Sequence, residues 1–309
     1  MNTETPLPEL GQRVADVVRT VMDEARPKLV RAALSGERGE GQNKRHSDNF
    51  LSVHDLWAHG RYRELMREHI ASFVYASEEA EPLVVGKDAD PDLVVLVDPL
   101  DTSELAVRGL HGYTHVLVYS RSLARPVVAV VGDIFHHVQM YLAVRDDSGT
   151  DRAYAVTADS QRHRLDPQPI KALAQSLVTN YMMRPAERFL PLARQERLLH
   201  ALGRPGDDGK SRGRIGVDFG SVGLGHIAAG FTDAMVEFAK GFAIWDLSPG
   251  HYVLHAAGGV VIDLNGEPIP LDYGLRSLSD IAAAMNGRRK FIAAGSAKLA
   301  HEILAELEL

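Results

Sequence analysis

Residues 93–142 hold four short apolar runs: Leu93-Val-Val-Leu-Val97, His115-Val-Leu-Val-Tyr119, Val127-Val-Ala-Val-Val131 and Val138-Gln-Met-Tyr-Leu142. Each is rich in β-branched or aromatic residues, and Gly, Pro and Asp separate them. That pattern predicts neighbouring strands joined by short connections, and so a mainly antiparallel sheet. Upstream, Val14, Val17, Val18, Val21, Met22 and Ala25 recur at steps of three, four and one from Leu10, which places them on one face of an opening helix. A second helix is expected from about Asp55, as N-cap, to about Phe73. Between the helices, Gly36-Glu-Arg-Gly-Glu-Gly-Gln-Asn-Lys-Arg-His46 has almost nothing to bury and predicts a mobile loop. Beyond the polar stretch Arg145-Asp-Asp-Ser-Gly149, helical patterns alternate with short strand candidates such as Val260-Val-Ile-Asp263 and Phe291-Ile-Ala293. The expected organisation is two α/β domains, residues 1–150 and 151–309, the first carrying the larger sheet.

At 309 residues the chain is long enough for about two such domains. Hydrophobic residues at 45% and charged residues at 24% are globular values, so global disorder is excluded. A net charge of -7 argues against a nucleic-acid surface, which draws its affinity from clustered Lys and Arg. With no cysteine, disulfides, thiolate nucleophiles and zinc–thiolate sites are ruled out. No apolar run approaches the ~20 residues that span a bilayer, and MNTETPLPEL lacks the order of a secretory signal. A cytoplasmic protein with neither membrane nor nucleic-acid partners is the expectation.

The chemistry concentrates in Leu96-Val-Asp98-Pro99-Leu100-Asp101-Thr102-Ser103. A strand ending at Asp98 and bent by proline can bring the carboxylates of Asp98 and Asp101 together around the Leu100 carbonyl, a set of hard oxygen donors suited to Mg²⁺. A strand-ending turn whose aspartates bond their own backbone is the alternative. Upstream lies Ser77-Glu78-Glu79, which alone reads as a solvated pair of carboxylates. Downstream comes Trp245-Asp246-Leu-Ser-Pro-Gly250, then Ala257-Gly-Gly259, where Asp246 alone reads as a helix cap.

Taken in order, Glu-Glu, D-P-L-D-x-S, G-S-V-G and W-D-x-x-x-G followed by A-G-G make the chain resemble the inositol monophosphatase-like family. Its pattern is G-E-E, D-P-[IL]-D-G-[ST], S-V-G and W-D-x-A-A-G with a following A-G-G. The resemblance implies a layered αβαβα architecture of two domains, a homodimer, and a lithium-sensitive, Mg²⁺-dependent phosphatase acting on a small phosphorylated sugar, cyclitol or nucleotide. It assigns two or three Mg²⁺ to Glu78, Asp98, the Leu100 carbonyl, Asp101 and Asp246, with Asp55 as an outer ligand of a weaker metal. Ser103, with Glu78, would orient a metal-activated water for direct attack. The amides of Thr102 and Ser103, and those near Gly223, Leu224 and Gly225, would approach the phosphate, and Glu237 stands nearest to the family's hydroxyl-binding acid. Electrostatics supports the scheme independently. Glu78, Asp98, Asp101 and Asp246 sum to about four negative charges and a phosphate monoester adds nearly two, which two Mg²⁺ would largely offset.

Several positions depart from that pattern. Thr102 replaces the glycine after D-P-x-D, W-D-x-A-A-G has become Trp245-Asp-Leu-Ser-Pro-Gly250, Ala256 replaces the acidic residue before A-G-G, and Glu237 lies about two residues too far upstream. Lys240 and His251 flank this region and raise the alternative of a second phosphate, as in a bisphosphate nucleotidase or sugar bisphosphatase. Two readings of another class are a catalytically impaired ligand-binding or regulatory homologue, which Thr102 makes conceivable, and dinucleotide binding at Gly220-Ser-Val-Gly223-Leu-Gly225. The latter has the wrong glycine order and no clear acidic residue about twenty positions on.

Overall fold

The computed structural model describes residues 6–41, 50–166, 168–169 and 171–309. The chain forms two compact units, Met1–Arg164 with Leu271–Met285, and Leu165–Pro270 with Asn286–Leu309.

The first unit opens with α1 (Glu9–Ser35), whose C-terminus is closed by Gly36 at φ 75°. From residue 42 onward the expected loop lies outside the described residues. Its described part ends in the two-residue strand β1 (Glu40–Gly41), paired antiparallel with β2 (Leu51–Ser52). Helix α2 (Val53–His69) begins in a capping box: the Ser52 hydroxyl accepts the His54 amide while the Asp55 carboxylate accepts the Ser52 amide. The cap is therefore Ser52, not Asp55, and the helix stops short of Phe73, which already lies in a strand.

The remaining elements of this unit are β3 (Ser72–Ser77), β4 (Ala80–Gly86), β5 (Leu93–Asp101), the single turn α3 (Ser103–Ala106), β6 (Tyr113–Ser120), β7 (Arg125–Asp133), β8 (Val138–Arg145), β9 (Asp151–Thr157) and β10 (Arg162–Leu165). They build one eight-stranded sheet in the order β10-β9-β8-β7-β6-β5-β3-β4. β5 to β9 alternate in direction, whereas β3 and β5 are parallel. Alternate residues of the central strands, among them Val95, Val97, Val116, Val118, Val128 and Val130, join Val14, Val18, Val21, Tyr62 and Met66 in a single core. One face of the sheet is thus covered by α1 and α2, as its apolar face requires.

The expected division at residue 150 falls in the β8–β9 turn, where Arg145 pairs with Asp151. Cutting there would remove two strands from the sheet, so the units part at 164 instead. Leu271–Met285 returns to the first unit through polar contacts: Tyr119 donates to Asp272 at 2.8 Å, and the Arg121 Nε donates to the Arg276 carbonyl at 2.8 Å.

The second unit contains β11 (Leu177–Asn180), α4 (Leu190–Ala193), α5 (Glu196–Leu202), β12 (Arg214–Val217), α6 (Gly220–Ala228), β13 (Ala234–Phe242), α7 (Ile244–Ala256) and β14 (Val260–Ile262). After α8 (Leu278–Asn286), which lies almost wholly in the first unit, come β15 (Arg289–Ala294) and α9 (Ala297–Glu306). Its five strands take the order β12-β11-β13-β15-β14, with β11 parallel to both neighbours and β15 antiparallel to both of its own. Helices α6 and α7 meet so closely that a Cβ on Gly250 would lie 2.4 Å from the Ser221 carbonyl oxygen.

Two local features carry measurable consequences. Thr102 sits at φ 57°, ψ 37°, a left-handed conformation that costs an L-residue roughly 1–2 kcal/mol and a β-branched one no less. Thr102→Gly should therefore raise stability by up to about 1 kcal/mol, part of the relief being offset by the greater freedom of unfolded glycine. Urea unfolding tests this, and a loss of stability would show that the Thr102 hydroxyl bond to the Asp101 carbonyl, 2.7 Å, outweighs the strain.

His251 is buried within α7, and burial, with His255 and Arg289 nearby, holds its imidazole down at about 3 instead of its usual 6.5. The unfolded chain thus binds a proton that the folded chain refuses, so this contribution to stability is present above pH 6.5 and is lost progressively as pH falls from there toward 3. The slope is at most about 1.4 kcal/mol per pH unit. Relative to wild type, His251→Gln should flatten the decline of the urea midpoint between pH 7 and pH 4, whereas parallel profiles would contradict a neutral buried imidazole.

Candidate active site

The carboxylates of Asp98 and Asp101 meet because β5 is irregular. In a regular strand, residues three apart point to opposite faces. Here Asp98 pairs with His115 and Asp101 pairs with Tyr113, so three steps along β5 match two along β6. That extra residue is a β-bulge, and Pro99, which has no amide to offer the ladder, falls inside it. The bulge puts Asp98 and Asp101 on the same face, opposite the one covered by α1 and α2. One ligand atom from each of Asp98, Asp101 and His115 lies within 4.8 Å of the other two. Asp98 is 1% exposed, and its Oδ1 accepts the Leu100 amide at 3.2 Å. Leu100 is buried within the bulge.

Glu78 arrives from the next strand. β3 runs parallel to β5 with Ser77 opposite Val97, and the Glu78 amide extends the ladder to the Val97 carbonyl at 3.2 Å. Because Ser77 also pairs with Ala80, Glu78-Glu79 is a two-residue hairpin turn at the end of β3, beside the residue that precedes Asp98. A strand therefore separates this pair from α2. Glu78 contributes no atom to the tight group formed by Asp98, Asp101 and His115.

Ser103 opens α3 directly after the left-handed Thr102. Its hydroxyl approaches the Phe50 carbonyl at 3.5 Å and hydrogen-bonds the Asp55 carboxyl. Asp55 is almost fully buried, and burial pushes its carboxyl up to about 6 although the Ser52 and Ser103 hydrogen bonds pull it down. Glu78, Asp98, Leu100, Asp101, Thr102, Ser103 and Asp55 thus all belong to the first unit.

The remaining candidates lie in the second unit. Asp246 occupies the first turn of α7, where its Oδ2 accepts the Ala243 amide at 3.3 Å and its carbonyl accepts the Ser221 hydroxyl at 2.7 Å. The expectation for Gly223, Leu224 and Gly225 needs correction. They lie inside α6 and are buried; the Gly223 amide bonds the Phe219 carbonyl at 3.0 Å, and a Cβ on Gly223 would strike the Met235 sulfur at 2.7 Å. Gly223 serves packing, and with the stretch buried inside α6 the dinucleotide reading falls as well.

Glu237 is corrected as well. It is completely buried, its Oε1 accepts the Lys240 and Gly241 amides at 3.0 Å each, and its Oε2 faces the Arg188 guanidinium at 3.1 Å. A carboxylate committed to a turn and a buried ion pair is closed to a substrate hydroxyl. Lys240 pairs with Glu187 at 2.8 Å, and the buried His251 is neutral, so neither matches the expectation for a second phosphate.

His115 was not among the residues expected from sequence. It is fully buried, and its Nε2 lies 3.0 Å from Asp101 Oδ2. The available signal was a single imidazole in an otherwise apolar strand candidate beside D-P-x-D.

Known proteins resemble this chain in sequence and in fold. A Nus factor SuhB from Pasteurella multocida is 27% identical over 203 residues, covering 66% of this chain and 67% of its own length. Human inositol monophosphatase 2 is 37% identical over 87 residues, 28% of this chain and 27% of that protein. Among solved structures, fructose-1,6-bisphosphatase from Leishmania major superposes with a TM-score of 0.68 at 11% identity, covering 98% of this chain and 96% of the other. The suhB protein of Bartonella henselae gives 0.65 at 18% identity, covering 96% and 98%. These likenesses establish a shared mixed α/β fold. The model of the inositol monophosphatase family matches residues 9–306, and the chain belongs to that family.

Proposed function

We propose that this protein is a Mg²⁺-dependent phosphatase that hydrolyses a phosphate monoester of a small sugar, cyclitol or nucleotide by direct attack of water. Family membership supports a phosphatase of this superfamily, and the observation that carries the finer reading is the bulge that crowds Asp98 and Asp101 onto one face. The donor set fits a hard divalent cation: two carboxylates, one nearly buried, stand together, and a third, Glu78, is carried by the turn that ends the neighbouring strand. Glu78, Asp98, the Leu100 carbonyl and Asp101 are the proposed ligands. Asp246 and the outer position of Asp55 join them on the strength of the resemblance. Bound Mg²⁺ would supply the positive charge that offsets carboxylates and phosphate and would make water more acidic.

The chain's own groups have separate tasks. Asp55 accepts the Ser103 hydroxyl proton in a hydrogen bond, which leaves the Ser103 oxygen lone pairs to hold a water. Glu78 is the proposed acceptor of that water's proton. The Thr102 and Ser103 amides, at the start of α3, are the proposed phosphate contacts. Lithium sensitivity, a cytoplasmic location and a homodimer belong to the same proposal. The left-handed Thr102 favours a second reading, a ligand-binding homologue with impaired catalysis, which phosphate release distinguishes.

A screen of sugar phosphates, inositol phosphates and phosphonucleosides should show phosphate release that stops on exhaustive chelation and returns with Mg²⁺. Asp101→Asn should lower turnover by several orders of magnitude; turnover that survives both chelation and this substitution would refute the metal-dependent reading. Ser103→Ala should reduce turnover by roughly 10²–10⁴-fold, the range for lost general acid–base assistance. Trapping a phosphoserine at Ser103 during wild-type turnover would overturn direct attack by water.

A further inference from the structure

We infer that His115 is a positioning residue that fixes the orientation of the Asp101 carboxylate by donating from Nε2 to Oδ2, and thereby sets how tightly this centre holds its divalent cation. The inference rests on the reading of Asp101 as a metal ligand.

The argument begins with the cost of the imidazole. His115 is 0% exposed in a strand whose following residues, Val116, Leu117 and Val118, are equally buried and apolar. An aliphatic residue would satisfy such a position without desolvating two ring nitrogens. Among the described residues, the imidazole makes one hydrogen bond, to Asp101 at 3.0 Å, and its Nδ1 makes none. A carboxylate oxygen accepts, so Nε2 is the donor, and in the Nε2–H tautomer of the ring Nδ1 is an acceptor.

That assignment separates positioning from direct ligation. A histidine that binds a metal through one nitrogen almost always donates its other N–H to a carboxylate, carbonyl or water. Ligation through Nε2 would turn Nδ1 into a buried N–H with no acceptor, the rarer and costlier of the two orphans, and ligation through Nδ1 is disfavoured because that buried nitrogen has no oxygen within hydrogen-bond reach to share a cation. Donation from Nε2 instead leaves only an unmatched lone pair. The register explains why the donor is so placed: His115 pairs with Asp98 on β6, and the bulge carries Asp101 back over the same face. Holding Oδ2 in this bond fixes the carboxylate plane and directs Oδ1 as the donor toward a cation. It also gives a hydrogen-bond donor to an aspartate crowded against Asp98.

The test is Mg²⁺ and Mn²⁺ binding to the full-length protein without substrate, by titration calorimetry and by the Mn²⁺ spin-resonance signal. His115→Val, which suits the strand but has no donor, should weaken binding roughly 10- to 100-fold, the range for lost partners of ligating groups. His115→Gln, whose side-chain amide reaches the same place with an N–H, should recover most of that loss. In turnover, the Mg²⁺ concentration for half-maximal rate should rise in His115→Val in step with the lost affinity. Unchanged affinity in His115→Val, or an equal loss in the Val and Gln variants, overturns the inference. Asp101→Asn is the control: if it binds the cations like wild type, the assignment of Asp101 fails. If it loses them while His115→Val does not, only the role of His115 fails.

Discussion

Crowding of like charge at the end of β5 is the constraint around which the first unit is arranged. Two carboxylates about 5 Å apart repel by about 3 kcal/mol at an effective dielectric of about 20. A regular strand would have avoided this by sending Asp98 and Asp101 to opposite faces. The bulge instead imposes the encounter, and the surroundings offset part of it with donors: the Leu100 amide on Asp98 and the His115 ring on Asp101. The eight-stranded sheet makes the arrangement stiff. β5 is flanked by β6 on one side and by parallel β3 on the other, and its opposite face is sealed against α1 and α2. A carboxylate pair held this rigidly cannot relax apart, and under the proposed function a divalent cation would relieve the repulsion that remains.

The second unit shows how motif residues can serve packing alone. Gly223 and Gly250 lie where a methyl group would collide with Met235 and with the backbone of α6. Gly223 lets α6 settle against β13 and Gly250 lets α7 settle against α6, a contact that the Ser221 hydroxyl fastens by donating to the Asp246 carbonyl while accepting the Gly250 amide at 3.0 Å. The serine of G-S-V-G therefore positions the backbone of W-D-x-x-x-G. A shared motif in this stretch reports the geometry around Asp246, and the contact with phosphate expected of Gly223–Gly225 was a misreading of that role.

Much of the fold was legible because its signals are local. The runs from Leu93, His115, Val127 and Val138 fall within β5 to β8, and the periodic residues from Val14 to Ala25 fall on the buried side of α1. β3, β4, β9 and β10 were missed, as were β11 and β13 in the second unit. Phe73-Val-Tyr-Ala76 reads as the tail of α2 by hydrophobicity alone, and only its pairing with β5 makes it a strand. The boundary at 150 failed for a related reason: a polar turn inside a hairpin looks the same in sequence as a polar linker between domains. At the site, D-P-L-D was recognisable as a meeting of carboxylates, but a bulge is defined by register against β6, and register is invisible without the partner strand. His115 escaped notice for the same cause, since it lies fourteen residues from Asp101 and meets it only through that register.

The groups that sequence put forward for substrate choice are engaged elsewhere, which separates the chemistry of this protein from its specificity. Glu237 is held by Arg188 and two amides, Lys240 by Glu187, and His251 is neutral inside α7. The Arg188 guanidinium is itself enclosed, 4.3 Å from the Tyr181 ring centroid, and one of its nitrogens donates to the Gly241 carbonyl at 3.1 Å. Breaking the pair by removing one partner would leave a buried, uncompensated charge, so Arg188 and Glu237 are held in place by mutual need. A structural ion pair has taken the region where the family's hydroxyl-binding acid was sought. Under the proposed function, selection among phosphorylated sugars, cyclitols and nucleotides would come from residues outside the motifs, while the carboxylates of β5 and of the turn after β3 would serve the phosphate alone.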